Sequence, residues 1–204
     1  MTTILFVKAN NYSVGQEVSV KLYEAFLSSY KKSHPNDTVV ELDLYNEELP
    51  YIGGGTIKAS KGLDLTAEEK KAVTVSDKYF NQFLAADKVI FGFPSWNFTI
   101  PAVLQTYIDY LYRSGKTFQY TSDGSVALIK DKKVALLNTR GSVYSVGPIA
   151  DVEMAVKYLS TMMSLLGVTN METIVIEGYS HFPDKAEEII AEGLEKAVKV
   201  ASIF

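Results

Sequence analysis

The sequence predicts an α/β fold in which a doubly wound, five-stranded parallel sheet carries helices on both faces. Five short apolar runs alternate along the chain with longer segments whose apolar residues recur at helical spacing. Several of the runs are continuous rather than interrupted by polar residues, which is typical of strands covered on both faces. Regular alternation of strands and helices favours a parallel sheet.

Each strand is predicted from a short run of apolar and β-branched residues. Three continuous runs, at Thr3–Val7, Val89–Phe93 and Val134–Leu137, are expected to form the buried strands. Thr38–Leu44 and Thr173–Ile176 complete the set of five.

Five helices are predicted from apolar stripes at helical spacing in the segments between and after the strands. The stripes are Val18, Leu22, Ala25, Phe26 and Tyr30; Val73, Phe80, Phe83 and Leu84; Val103, Leu104, Tyr107, Ile108 and Leu111; Met154, Ala155, Tyr158, Leu159, Met162, Met163 and Leu166; and Ile190, Leu194 and Val198.

The helix ends carry recognisable signals. The sequence Thr-Ala-Glu-Glu at 66–69 predicts a capping box at the start of the second helix. Pro101 is expected at the first position of the third helix, and Gly167 is expected to end the fourth. Asp184, with Glu187 three residues later, is expected to cap the last helix.

We expect residues 1–204 to form one domain with two additions to the simple alternation. Asn46–Thr66 contains three consecutive glycines and no clear period, so an irregular loop is predicted over 46–66. Thr117–Ile129 combines β-forming residues with Ser-Asp-Gly, which predicts a hairpin-like excursion. Long excursions in compact α/β domains are often functional, so both are candidate walls of a binding site.

The composition excludes several kinds of site and partner. No Cys is present, which excludes disulfides, thiolate nucleophiles and Cys-based metal centres. His34 and His181 lie far apart, so no metal site is predicted. The 20 basic and 24 acidic residues give a net charge of −4 without a basic run, which gives no support for binding nucleic acid or an anionic membrane. Without a signal peptide or a long apolar span, a cytoplasmic protein is expected.

A ligand of such a sheet binds beyond the carboxyl ends of the strands, where the strand order reverses. Three loops are expected at that edge: Lys8–Gln16, Pro94–Ile100 and Thr139–Gly147. The first leads into a helix that begins near 16–19, and a helix N-terminus suits a phosphate. It has neither a dinucleotide-binding nor a P-loop glycine pattern, and an ordinary strand-to-helix turn is the alternative.

The second and third loops have the composition of a ligand pocket. In 94–101, Trp96, Asn97 and Phe98 lie between two prolines, which suits a flat heterocycle; a packed loop whose Trp covers the core is the alternative. In the third loop, Gly141 allows close backbone approach to a ligand among hydroxyl side chains. Arg140 can bind an anion there or pair with a carboxylate.

These loops resemble those of the FMN-dependent NADH:quinone oxidoreductases and azoreductases. Pro-Ser-Trp-Asn-Phe at 94–98, followed by Pro101, matches the family's Pro-x-aromatic-Asn-Phe loop. Gly-Lys-Thr-Phe-Gln-Tyr-Thr at 115–121 resembles its Gly-x-Thr-Phe-x-Tyr-Thr excursion, and Thr-Arg-Gly-Ser at 139–142 resembles its Ser-Arg-Gly-Gly loop. The similarity runs from Ile4 to near the C-terminus, with 46–66 the part least tied to it.

The resemblance implies a flavodoxin-like sheet of order 2-1-3-4-5 and a homodimer that binds FMN. The FMN phosphate would lie at Asn10, Glu17, Val18 and Ser19; the isoalloxazine at Pro94, Ser95, Trp96, Asn97 and Phe98; and its pyrimidine side at Thr139, Arg140, Gly141, Ser142 and Tyr144. Substrate-pocket side chains entering across the dimer interface would be Tyr120 and Met162.

The resemblance also implies the reaction. NADH or NADPH would deliver a hydride in the first half of a ping-pong cycle, and a quinone or azo compound would then accept two electrons. Cleavage of an azo bond to two amines would take two cycles. Protons would come from water, so no catalytic side chain is predicted.

The chain departs from the family pattern in the first loop. Ala9 and Glu17 replace serines, so Glu17 is expected to point away from the phosphate while backbone N–H groups and Ser19 bind it.

A flavodoxin-type electron carrier is the main alternative function, although such carriers usually have a strongly acidic face. A flavin-free hydrolase is disfavoured by the absence of Gly-x-Ser-x-Gly and by the scarcity of His.

Overall fold

The structure, a computed structural model, describes residues 1–11 and 17–204. The strands are β1 (Thr3–Lys8), β2 (Thr38–Asp43), β3 (Lys88–Pro94), β4 (Phe118–Thr121), β5 (Gly124–Ala127), β6 (Lys133–Arg140) and β7 (Asn170–Glu177). The helices are α1 (Val18–Ser33), α2 (Gly54–Ser60), α3 (Ala67–Ala85), α4 (Ala102–Leu111), α5 (Ala155–Leu166) and α6 (Ala186–Ile203).

The main sheet has five parallel strands in the order β2-β1-β3-β6-β7. Numbered without the small β4–β5 sheet, this is the expected order 2-1-3-4-5, and the flavodoxin-like fold is confirmed. Each predicted strand is present, and the last is longer than Thr173–Ile176 predicted. The order reverses between β1 and β3, so the loops that follow these two strands flank the switch point.

The central strands are buried on both faces, as their continuous apolar runs predicted. Alternate residues of β1 enter two different core clusters, Leu5 and Val7 on one face and Ile4 and Phe6 on the other. The first cluster is covered by side chains of α3, α4 and α5, and the second by side chains of α1 and α6. Burial of this apolar surface is the main favourable contribution to folding.

Two of the predicted helix ends are confirmed in detail. The Thr66 hydroxyl accepts a hydrogen bond from the Glu69 N–H at 3.2 Å, and the Glu69 carboxylate accepts one from the Thr66 N–H at 2.9 Å. Gly167 follows α5 with a φ of 102°, and a Cβ there would lie 2.5 Å from the Ile129 carbonyl oxygen. Only glycine satisfies both conditions.

Two other helix ends differ from the predictions. Pro101 is the N-cap of α4, whose first residue is Ala102, because Pro101 has an extended ψ of 142°. Asp184 does not cap α6, since it lies in a single 3-10 turn over Pro183–Lys185 and Lys185 precedes the regular helix. The 3-10 turn begins at the proline and moves the start of the α-helix past the aspartate.

Three residues of the predicted apolar stripes are exposed. Leu84 of α3 is 38% exposed and Val198 of α6 is 46% exposed. Met154 is 49% exposed because it precedes α5 as its N-cap rather than belonging to the buried stripe.

The structure differs from the prediction for residues 46–66 and agrees with the prediction of a hairpin over 117–129. Residues 46–66 are not wholly irregular, since they include the short helix α2, which packs against α3. The predicted hairpin is confirmed, with β4 and β5 paired antiparallel across Ser122 and Asp123. Within the described ranges, no helix is long and apolar enough to cross a membrane.

Candidate functional site

The loops after β1, β3 and β6 meet at the carboxyl edge of the sheet, because these three strands are neighbours. The Ala9 N–H donates to the Gly92 carbonyl oxygen at 2.8 Å, which joins the first loop to the end of β3. The Ser95 N–H donates to the Thr139 carbonyl oxygen at 2.9 Å, which joins the second loop to β6. The sequence prediction that these loops form one edge is therefore confirmed, except for Tyr12–Gln16, which lie outside the described residues.

The first loop contains a buried amide that has no partner. The Asn10 side chain is fully buried, and neither its Oδ1 nor its Nδ2 has a hydrogen-bond partner within the described part of the protein. A buried amide without partners costs free energy, so such a group in a stable fold indicates a missing polar ligand, water or neighbour. Asn10 is thus suited to meet a polar group that enters beside the first loop.

The N-terminus of α1 is suited to an anion, and its role as a phosphate site stays a prediction. Glu17 is its N-cap and makes no side-chain capping hydrogen bond, and no acidic residue lies in the first turn. The first N–H groups of a helix lack internal acceptors and attract negative charge. Val18 and Ser19 are buried at this end, with exposures of 8% and 4%.

The charge of the Glu17 carboxylate affects the pKa of the Tyr179 hydroxyl. Burial raises the pKa of the Tyr179 hydroxyl, a hydrogen bond with the Thr139 hydroxyl lowers it, and the charge of Glu17 raises it, with a net raised pKa.

The second loop is a tight turn with unusual backbone angles. Trp96 and Thr99 pair through two backbone hydrogen bonds of 2.9 and 3.1 Å, and the residues between them, Asn97 and Phe98, have φ values of 47° and 71°. Positive φ at both central residues is the geometry of a type I′ turn, which usually requires Asn or Gly. The turn places the Asn97 amide and the Phe98 ring, 51% exposed, at the surface of the site.

Trp96 is half-buried. It is therefore neither fully packed over the core nor fully available to a flat heterocycle, which were the two alternatives for this loop. Its indole packs edge-on against the Tyr45 ring at a centroid distance of 6.5 Å. One face of the side chain is therefore used for packing, and part of its surface is still accessible at the site.

Ser95 is fixed by a residue that sequence reasoning missed. The Asn138 amide, fully buried in β6, donates to the Phe93 carbonyl oxygen at 3.2 Å and to Ser95 Oγ at 3.1 Å. The Ser95 hydroxyl lies 3.2 Å from Asn138 Oδ1. The signal available in the sequence was an amide directly after the apolar run Val134–Leu137, at the end where ligands bind.

In the third loop, Arg140 is paired with carboxylates, which was the second of the two alternatives. Its side chain is 8% exposed and contacts Glu177 and Glu153 at 2.9 and 3.1 Å. Thr139 is buried beside it, and Ser142 and Tyr144 are half-buried. The Tyr144 ring meets the Phe98 ring edge-on at 6.0 Å, which brings the second and third loops into contact.

Gly141 is required by a neighbouring side chain. A Cβ on Gly141 would lie 2.6 Å from Ser180 Oγ, and the Ser180 N–H donates to the Gly141 carbonyl oxygen at 3.0 Å. The predicted close approach of the Gly141 backbone to a ligand stays a prediction.

Glu177 was also missed, although it organises the third loop. Burial raises its pKa, while hydrogen bonds from the Ser145 hydroxyl and the Tyr144 N–H and the charge of Arg140 lower it, so that the net pKa lies below the ordinary value. Glu177 is therefore ionised at neutral pH. A glutamate at the end of the last strand was its only sequence signal.

The two predicted substrate residues lie on other elements. Tyr120 projects from β4, is 74% exposed, and lines a cavity of about 490 Å³ with residues of α2 and the end of α4. Met162 lies on α5, half-buried against the first core cluster. Their predicted role depends on a second copy of the chain.

The site contains no metal-ligand cluster. In the part of the chain that the structure describes, no three His, Asp or Glu side chains are grouped so as to hold a metal ion. The polar groups present are amides, hydroxyls, backbone N–H groups and one neutralised arginine, which suit an uncharged heterocycle joined to an anion.

Comparisons with known proteins identify the family of the chain. The model of a family described as having a flavodoxin-like fold matches residues 2–201. FMN-dependent NADH:quinone oxidoreductase 4 of Bacillus cereus (strain ATCC 10987 / NRS 248) is 71% identical over the full length of both chains. FMN-dependent NADH:quinone oxidoreductase 1 of Bacillus subtilis (strain 168) is 53% identical, again over both full lengths.

Solved structures give the same result. An azoreductase from Bacillus anthracis str. Sterne superposes with a TM-score of 0.97 at 71% identity, covering all of both chains. An FMN-dependent NADH-azoreductase from Bacillus anthracis str. Ames Ancestor, solved in complex with FMN, superposes with a TM-score of 0.86 at 27% identity, covering 98% of this chain and 100% of that one.

Proposed function

Because the chain belongs to the flavodoxin-like family of FMN-dependent NADH:quinone oxidoreductases and azoreductases, we propose that it binds FMN and uses NADH to reduce quinones and azo compounds. The observation that carries this proposal is the meeting of three loops at the switch point of the sheet. One has a buried amide without a hydrogen-bond partner among the described residues, and one has an exposed Asn–Phe turn. Residues 1–204 act as one FMN-binding domain.

The residues present fit each part of FMN. The phosphate is bound at the N-terminus of α1, by backbone N–H groups and Ser19, with Asn10 beside it. The segment Pro94–Phe98 packs against the isoalloxazine, and the segment 139–142 with Tyr144 lines its pyrimidine side. The buried amide of Asn10 supports this fit, since it needs the polar partner that a bound ligand supplies.

The protein binds and orients, while the cofactor carries the redox chemistry. When bound, FMN would supply the redox chemistry, which is hydride transfer from NADH and two-electron reduction of the acceptor. In this proposal Asn97 would hydrogen-bond the edge of the heterocycle, and a flat acceptor would stack against the exposed ring of Phe98. We assign no described side chain of the site as a general acid or base and propose that the protons come from water.

The electron-carrier alternative is not favoured. The net charge of −4 over 204 residues argues against a strongly acidic docking surface, and the relatives described above are named as oxidoreductases. The two functions differ in one observable, since a carrier does not oxidise NADH.

We further infer a homodimer in which Tyr120 and Met162 complete the substrate pocket of the partner. Exposed apolar residues on one region of the surface support this inference, because such patches mark protein contacts. They are Ile52, Ile57 and Tyr120, which line the same cavity. Sedimentation velocity of the purified chain is expected to give a dimer mass, and a monomer at micromolar concentration would contradict the inference. A cytoplasmic location, where NADH is available, is part of the same proposal.

The proposed function is tested by a visible spectrum followed by anaerobic additions. We expect flavin absorption bands in the purified chain, bleaching on addition of NADH, and return of the bands on addition of a quinone. Flavin bands that do not bleach on addition of NADH would support the electron carrier instead. A chain that stays colourless after incubation with FMN would refute the proposal.

A further inference from the structure

The network around Arg140 joins two loops of the site through one buried guanidinium. Arg140 is the last residue of β6, and its Nε donates to Glu177 Oε2 at 2.9 Å. Its Nη1 lies 3.1 Å from Glu153 Oε1. The side chains of Arg140, Glu153 and Glu177 are 8%, 12% and 18% exposed. Charges this well shielded from water interact strongly and are costly to leave unpaired.

Glu177 links this network to the backbone of the third loop. Its Oε2 accepts hydrogen bonds from the N–H groups of Tyr144 and Ser145 at 2.9 and 3.2 Å, and the Ser145 hydroxyl donates to Oε1. The carboxylate therefore determines where the Tyr144 segment lies relative to the end of β6.

Glu153 links the network to α5 and the second loop. Its carboxylate accepts hydrogen bonds from the N–H groups of Ala155 and Val156 at 2.9 and 2.8 Å, at the start of α5. The N–H of the intervening Met154 donates to the Phe98 carbonyl oxygen at 2.8 Å. A continuous path thus runs from the Asn97–Phe98 turn through Glu153, Arg140 and Glu177 to the Tyr144 segment.

We infer that Arg140, Glu153 and Glu177 form a positioning cluster that sets the separation of the second and third loops, and hence the fit of the flavin pocket. In this assignment the charge of the Arg140 side chain is matched by Glu153 and Glu177, while its buried Nη1 makes no hydrogen bond with the described residues. Glu153 and Glu177 are positioning residues, since they act on the site through Arg140 and through the loop backbone. The inference rests on the proposed function.

The test measures the FMN dissociation constant and the melting temperature of the flavin-free protein for each variant. Glu153→Gln keeps the shape and the capping oxygen but removes the charge that faces Arg140. We expect it to raise the FMN dissociation constant about tenfold. The matched control is Asp151→Asn, an exposed acid in the same connection, which is expected to bind FMN within about twofold of the wild type.

A second pair of variants, made in the protein that carries Arg140→Met, distinguishes a positioning role of Glu153 from its role as the cap of α5. In Arg140→Met the path between Glu153 and the third loop is already broken, so adding Glu153→Gln is expected to change the dissociation constant by no more than about twofold. A tenfold effect that persists in this background would show that Glu153 acts only as the cap of α5, and would overturn the inference. Should Arg140→Met fail to fold, Arg140→Lys, which cannot bridge both carboxylates, provides the same comparison.

The Glu177 side is tested in the same way. Glu177→Gln is expected to weaken FMN binding about tenfold, whereas Glu172→Gln, an exposed acid on the same strand, is expected to leave it unchanged. A lowered melting temperature with wild-type FMN binding in both Glu153→Gln and Glu177→Gln would overturn the inference. Failure of the wild type itself to bind FMN would instead refute the proposed function.

Discussion

Asn97 and Phe98 hold a backbone conformation that most residues avoid. Their φ values of 47° and 71° lie in the left-handed region, which costs a non-glycine residue on the order of 1 kcal/mol each. Such conformations persist where the surrounding structure holds them and are concentrated at functional sites. Here Pro94, Pro101 and the Trp96–Thr99 pair hold the turn, which agrees with its place in the proposed pocket.

Replacing Asn97 by glycine separates its two roles. Asn97→Gly keeps a residue that tolerates positive φ but removes the amide. We expect the FMN dissociation constant to rise about tenfold, as for loss of one hydrogen bond of about 1.4 kcal/mol, with the melting temperature unchanged. FMN titration of the flavin-free protein measures it, with Asp123→Gly in the exposed β4–β5 turn as control. Wild-type affinity in Asn97→Gly would remove Asn97 from the site.

Substitution of Gly141 is predicted to affect stability through its neighbour Ser180. Gly141→Ala places a Cβ against Ser180 Oγ at 2.6 Å and should lower the free energy of unfolding by about 1 kcal/mol. Combined with Ser180→Gly, which removes the contacted atoms, the double variant should be more stable than the two single effects predict. Urea unfolding measures all four chains, and strictly additive effects would contradict this explanation.

The lowered pKa of Glu177 predicts a pH dependence of stability. A carboxyl whose folded-state pKa lies below the ordinary value of 4.5 stabilises the fold above that value, and the stabilisation is lost as pH falls through the folded-state pKa. Arg140 and Glu153 are the other charged groups of this cluster. The difference in free energy of unfolding between wild type and Glu177→Gln should therefore shrink below about pH 4.5. A difference independent of pH, measured by urea unfolding, would contradict it.

At this scale the sequence shows residue types but not partners. Asn97, Phe98 and Tyr144 were recognisable because aromatic and amide side chains follow strand ends. The roles of Asn138 and Glu177 depend on contacts across neighbouring strands, which no local pattern contains. For the same reason, the choice between an anion and a carboxylate as partner of Arg140 was left open by the sequence.

Among the elements, α3 has the clearest sequence-coded start. The reciprocal hydrogen bonds of Thr66 and Glu69 satisfy N–H groups that the helix leaves unpaired. Thr66→Ala should lower the free energy of unfolding by about 1 kcal/mol. Thr74→Ala, in the interior of the same helix, is the matched control and should be neutral or slightly stabilising, because alanine favours helix. Equal effects of the two changes on urea unfolding would contradict the cap.

Elements with strong periodicity were predictable, and their ends were less so. The buried strands followed from continuous apolar runs, which few other structures accommodate. The helix α2 was missed because Gly53–Gly55 and the few apolar residues nearby give no helical stripe. The start of α6 was misplaced because Pro183 begins a 3-10 turn that carries Asp184 away from the capping position.

For the whole molecule, strand alternation determines the class of fold but not the order of strands. Several doubly wound orders satisfy the same alternation, and the order 2-1-3-4-5 was expected from the resemblance. The order matters because it places the switch point between β1 and β3 and so brings the three loops together. The location of the site is thus a property of the topology, while its specificity belongs to the loops.

The central claim is that these three loops form one FMN site, and a crystal structure of the chain with FMN tests it most directly. We expect the isoalloxazine to pack against Trp96–Phe98, with the Asn97 amide at hydrogen-bond distance from the ring edge and the phosphate at the N-terminus of α1 beside Asn10. FMN bound elsewhere, for example in the cavity beside Tyr120, with these loops free of ligand, would contradict the account.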